Sequence, residues 1–255
     1  MVWLYQLPNS ILCVVVCAFF VAIGLGGVAV TRRRMANYGG AMNELSLQIG
    51  ANVGVIYAVL LAMIAVATWE SFNTVSTYVA REAASAGDIY REVGAYPTEQ
   101  REEIRRHLMA YLEAVVSQEW PEQREGLRAH GATAPLNHLV EELTRFEPHT
   151  DGQKVLHGAV LNELAHFLES RRMRRQAVDT GLIAEMWFVV VAGGILTLSL
   201  TWLFWTPHIR IHAVAVAALA TTIGLVTFLI LAMDYPLVGH TTVSPQAYVH
   251  ALEAM

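Results

Sequence analysis

Four stretches of the chain run about twenty residues or more without a charged side chain: 11–30, a second from 45 or 51 to 69, 186–206 and 211–233. At 1.5 Å per residue, twenty helical residues cover roughly 30 Å, the thickness of a hydrocarbon core, and a helix satisfies its own backbone groups there. Each stretch is therefore expected to be a spanning helix. Between the second and third the pattern changes. After Pro97-Thr98, the residues Ile104, Leu108, Tyr111, Leu112, Val115 and Val116 recur at three- and four-residue spacing, and Trp120-Pro121 is expected to stop that helix. Residues 136–146 read as a shorter amphipathic helix, and 155–173 repeat the pattern through Leu156, Val160, Leu164, Phe167 and Leu168. No comparable strand alternation appears.

The expected fold is all-α: a polytopic membrane protein of four transmembrane helices with a helical extramembrane bundle between spans 2 and 3. The first two spans and their loop occupy 1–69, the bundle 70–185, the last two spans 186–233 and a tail 234–255. In the tail, Ser244-Pro245 is a good opening for a short helix. No sharp breaker lies between 69 and 93 or between 154 and 200, so spans 2 and 3 are expected to continue beyond the membrane as long helices. The longest expected loop is 121–135, and one integrated domain is the economical reading.

Charge sharpens this division. Only 15% of residues are charged, yet 13 of the 17 basic and 19 of the 22 acidic ones lie within 70–185. The formal net charge of -5 leaves no basic face for nucleic acid, so that partner is not expected. Arg32, Arg33 and Arg34 follow the first span, whereas residues 1–10 carry no charge. The positive-inside rule then puts the N-terminus and the bundle on the periplasmic side of a bacterial inner membrane, with the first span an uncleaved anchor. Arg171, Arg172, Arg174 and Arg175 before the third span pull the other way. Trp3, Trp69, Trp187, Trp202 and Trp205 fall near the expected borders, as interfacial belts do.

Candidate chemistry is sparse. Cys13 and Cys17 share one helix face and suit neither a disulfide framework nor a zinc quartet. Glu163 and His166 form half of a carboxylate-bridged metal motif, with no second half in the chain. There is no nucleophile elbow, phosphate-cradling loop or zinc-protease helix, so no enzyme, metal or cofactor is expected. The second span is more informative. Gly54, Ala58, Ala62 and Ala65 form a small-residue stripe suited to close helix packing or to lining a pore. Asn52, Tyr57, Thr68 and Glu70 are its polar groups, and several copies around an axis could line a conduit. Asp234 ends the fourth span, either as an interfacial carboxylate or as a partner for an arginine or an ion.

The order of two spans, a charged helical segment and two more spans resembles the bacterial bestrophin-like membrane proteins, a domain family of unknown function. The resemblance rests on Val55-Ile-Tyr-Ala-Val-Leu-Leu running to Trp69-Glu70, then Glu119-Trp120-Pro121, Asp234-Tyr-Pro236 with Gly239, and Val243-Ser244-Pro245. It implies a homo-oligomeric ion channel in a lipid bilayer, anion-selective by analogy with true bestrophins, whose helical middle is cytoplasmic. No acidic calcium clasp accompanies Asp151 and Gly152. The alternative is a non-catalytic accessory or structural subunit packed against other membrane subunits.

Overall fold

The computed structural model describes residues 5–255, and Trp3 lies outside them. Every regular element among the described residues is helical: α1 (Asn9–Met35), α2 (Asn43–Glu92), α3 (Thr98–Ala114), α4 (Trp120–Arg124), α5 (Thr133–Arg145), α6 (Asp151–Gln176), α7 (Ala184–Thr201), α8 (Ile209–Met233) and α9 (Gln246–Glu253). Four helices are long and apolar enough to cross a membrane: α1, α2, α7 and α8. Two compact units result. One holds the chain up to Glu70 with Gly181–Asp234, and the other holds Ser71–Thr180 with Tyr235–Met255.

In the first unit α1 and α8 form the most extensive pairing, with α7 against both. Phe20, Tyr57, Leu61, Val190, Leu198, Ala220, Ile223 and Ile230 make its core. Small residues let the backbones meet: a Cβ on Gly224 would lie 2.8 Å from Cys17 Cα, and one on Gly193 would lie 2.5 Å from the Tyr57 ring. The turn between α7 and α8 is closed by Asn43, whose side chain donates to Trp205 O and accepts from Trp205 N, both at 3.0 Å. The third span, α7, accordingly ends at Thr201 and not near Thr206. Pro207 disfavours helical backbone at Thr206, and the residues before it serve the Asn43 clamp instead.

In the second unit residues 71–92 of α2 pack with α3, α5, α6 and α9 around Ile89, Ile104, Leu108, Leu112, Leu139, Leu143 and Phe167. As expected, α2 is uninterrupted, and its 50 residues amount to about 75 Å. The third span does not continue in the same way. Between α6 and α7 lie a 3-10 turn at Ala177–Asp179 and extended backbone at Thr180, because Asp179-Thr180-Gly181 is a run of poor helix formers. Trp120-Pro121 also departs from expectation. The chain passes through a π-helical turn at Val115–Glu119 into α4, with Pro121 in its first turn. A first-turn proline needs no N–H partner, and the widened turn ahead of it relieves the clash with the preceding carbonyls. The helical run ends one turn later, at Gly126 with φ 79°.

Thr150 and Gln153 close a reciprocal capping box at the start of α6. The tail helix α9 starts at Gln246, and the Ser244 hydroxyl accepts from Gln246 N at 3.3 Å.

Candidate functional site

On α2 the sequence alternates between three faces. Tyr57, Leu61 and Thr68 point into the first unit and are buried. Tyr57 donates from its hydroxyl to Val190 O at 2.9 Å, and Thr68 donates to Ile64 O at 2.8 Å. These two members of the expected polar set are thus structural, while Asn52 and Glu70 remain exposed. The small-residue stripe flanks the buried face: Ala58 and Ala62 are exposed, Gly54 and Ala65 half-buried, and a Cβ on Gly54 would meet nothing within 4 Å. The side opposite Tyr57, Leu61 and Thr68 carries Ile56, Val59, Met63 and Val66, exposed by 55–65%. At 100° per residue Asn52 and Glu70 fall on that same side, one at each end of the apolar ribbon. Trp69 beside Glu70 is exposed as well.

The second unit hides a different feature. Glu82 on α2, Glu119 in the π turn and Arg174 on α6 are fully buried, and Arg171 nearly so. Arg174 grips Glu82 with two bonds, Nε to Oε2 at 2.8 Å and Nη2 to Oε1 at 3.2 Å. It also donates to Glu119 Oε2 at 3.1 Å and Gln123 Oε1 at 3.0 Å. Arg171 reaches Glu119 Oε1 at 3.3 Å, and Ala132 N donates to the same oxygen at 3.2 Å. Tyr111 donates its hydroxyl to Glu82 Oε1. The guanidinium of Arg174 lies 5.8 Å from the ring centroids of both Trp120 and Tyr248, which stack edge-on.

Two arginines and two glutamates form a charge-balanced core, as buried ions require. Burial alone would lower the pKa of Arg174, but Glu82 and the surrounding phenols outweigh it and hold the guanidinium charged well above its usual range. Burial first and the Glu82 carboxylate second push Tyr111 well above the ordinary phenol value, so it remains a donor. This core is a structural clamp that ties α2, the π turn and α6 together.

The residues that carried the resemblance take defined places. Glu119 and Trp120 belong to the clamp, and Pro121 sets the turn after it. Gly239, at φ 88°, donates its N–H to Arg124 O at 3.0 Å, and Val243 N donates to Pro236 O at 2.9 Å. These bonds lead the tail to α9, whose Tyr248 is fully buried beside Arg174. Asp234 is buried in the first unit, where Oδ1 accepts from Leu182 N at 2.6 Å and Oδ2 from Tyr5 Oη at 2.7 Å and Trp187 Nε1 at 3.2 Å. It ties the start of α7 to the end of α8, a role an arginine partner was not needed for. In the sequence Tyr111 reads only as part of an apolar helix face and Arg171 and Arg174 only as topology charges, while Glu82, Gln123 and Tyr248 do not stand out. An apolar-periodic helix with ionisable residues on its buried face was the available signal.

No curated protein sequence matches the chain. Solved structures do match in fold. One variant of a bacterial Bestrophin homologue from Klebsiella pneumoniae superposes with a TM-score of 0.69 at 10% identity, covering 95% of this chain and 96% of that one. A second variant gives 0.67 at 11% identity, with 95% and 98% covered. A Klebsiella pneumoniae Bestrophin homologue solved by Zn-SAD phasing gives 0.67 at 11%, with 92% and 95% covered. The family model described as a Bestrophin-like domain matches residues 18–248, a stretch that runs from within α1 into α9. With four helices able to span a membrane and the same fold over almost all of its length, the chain belongs to the Bestrophin-like family of membrane proteins.

Proposed function

We propose that this chain is the subunit of a homo-oligomeric ion channel in which α2 faces the axis. The carrying observation is the exposed side of α2, where Ile56, Val59, Met63 and Val66 form an apolar ribbon bounded by Asn52 and Glu70. Only 11% of the most apolar window of that helix is buried within the protomer. Copies of such a ribbon around an axis would make a hydrophobic constriction of the kind that gates by dewetting, entered past rings of Asn52 and Glu70. The stripe of Gly54, Ala58, Ala62 and Ala65, between the buried and axial sides, then meets the neighbouring copy. Anion preference is what the family resemblance implies, and a ring of Glu70 carboxylates would act against it.

Planar-bilayer recording of the purified oligomer tests this. Met63→Ala is expected to raise the current and Leu229→Ala, on the exposed side of α8, to leave it unchanged. Glu70→Gln is expected to move the reversal potential toward that of chloride. Ala62→Leu is expected to reduce oligomer recovery, while Leu60→Phe is tolerated. A well-folded oligomer that carries no current in any of these forms would sink the proposal.

A further inference from the structure

The last turns of α6 gather more arginine than the buried clamp uses. Arg128, Arg171, Arg172 and Arg175 line one cleft of about 510 Å³ in the helical unit, together with Gln123, and Asp179 is the only carboxylate among its lining residues. Arg171 is the built part of it. Its side chain is 9% exposed, its Nη2 donates to Glu119 at 3.3 Å, and its buried Nε has no hydrogen-bond partner. A buried donor without an acceptor is destabilising, so Arg171 keeps unused donor capacity at the wall of the cleft.

Arg175 is held in place, its Nη2 3.1 Å from Ala129 O and 3.0 Å from His130 Nδ1. Both of those partners are neutral acceptors or tautomer-dependent, so its charge is not cancelled by a carboxylate. Arg172 is exposed and has no ion pair among the described residues. Arg128 pairs with Asp179, Nε to Oδ2 at 2.9 Å, but both side chains are at least half exposed and such a pair is weak. An incoming anion can compete for it.

We propose that this cleft binds a multivalent phosphate-type oxyanion, with Arg171, Arg172 and Arg175 as ligands and Arg128 exchanging Asp179 for the anion. The planar guanidinium fork matches phosphate oxygens, and several forks on one cleft favour a multiply charged ligand over a single chloride. The same oxygens are offered by a soluble phosphate compound and by a phospholipid headgroup. The site lies wholly in the helical unit and does not depend on what α2 conducts.

The test uses the full chain in a zwitterionic detergent, titrated with inorganic pyrophosphate by calorimetry and, separately, heated with and without added phosphatidylglycerol. Pyrophosphate should bind saturably, and Arg172→Gln and Arg175→Gln should each weaken it by about tenfold or more, the scale of one lost charge-assisted contact. Arg172→Lys should retain part of the affinity, Asp179→Asn should increase it, and Arg106→Gln, at an exposed residue near Glu103 on α3, should leave it unchanged. Stabilisation by phosphatidylglycerol that is lost in the Arg172 and Arg175 variants, without pyrophosphate binding, would support the site and assign it to a lipid headgroup. Failure of both ligands, or equal response of every variant, would overturn it.

Discussion

At Arg174 the polar partners Glu82, Glu119 and Gln123 and two aromatic rings surround a guanidinium with no exposed surface. Removing one member of such a set strands the others in a dry site, which typically costs about 3–5 kcal/mol. Arg174→Met is therefore expected to lower the melting temperature of the detergent-solubilised protein steeply, with Glu82→Gln close behind. Arg145→Met removes two exposed pairs, to Glu141 and Glu142, and should change little. A second residue links stability to pH. His157 Nδ1 lies 2.6 Å from the Tyr96 hydroxyl, whose pKa burial and then Glu92 raise to about 12, so the phenol keeps its proton and the pair shares one hydrogen bond whose direction the imidazole tautomer sets. Burial lowers His157 below its ordinary 6.5. The unfolded chain thus takes up its proton first, and the contribution is complete above pH 6.5 and falls away as pH drops through the lowered folded value. Thermal melts from pH 7.5 to 5 should show the helical unit weakening with acid, and His157→Gln should flatten that slope. A slope unchanged by the substitution would place the effect elsewhere.

Among the elements, α1 and α8 show what small residues do at a membrane-type interface. Gly224 on α8 faces the backbone of Cys17 on α1, whereas Gly26 on α1 has open space where a Cβ would go. Gly224→Ala must push two helices apart, and overpacking of this kind costs about 1–3 kcal/mol. Gly26→Ala meets nothing and improves helix propensity by up to about 1 kcal/mol. The two melting temperatures should move in opposite directions, and a shared fall would mean that α1 and α8 do not pack in this way. At the same scale, α2 was legible as a continuous helix because no proline or glycine pair interrupts it before Gly94. The break after α6 was not, because Asp179-Thr180-Gly181 is a weak signal in sequence. Asp234, 52 residues from its partner Leu182, helps hold the start of α7.

For the whole molecule, Arg32, Arg33 and Arg34 in the last turn of α1 are the strongest determinant of sidedness. Glu125 is exposed after α4, so Glu125→Cys in a version lacking Cys13 and Cys17 offers a reporter. The positive-inside reading expects labelling by a membrane-impermeant thiol reagent in intact spheroplasts. Labelling only after lysis would put the helical unit in the cytoplasm.

What the sequence by itself determined was the helical class, four helices able to span a membrane and the amphipathic helices between them. Each follows from local hydrophobic period and length, which a single segment carries without reference to any other. Tertiary structure decided which polar residues are structural. Tyr57 and Thr68 turn inward while Asn52 and Glu70 stay outside, a difference of helix rotation that depends on where α7 lies. It also decided that Glu82, Glu119, Arg171 and Arg174, separated by up to 92 positions, share one dry core. Buried charges are tolerated only in company, and that company comes from distant segments whose meeting no local pattern records.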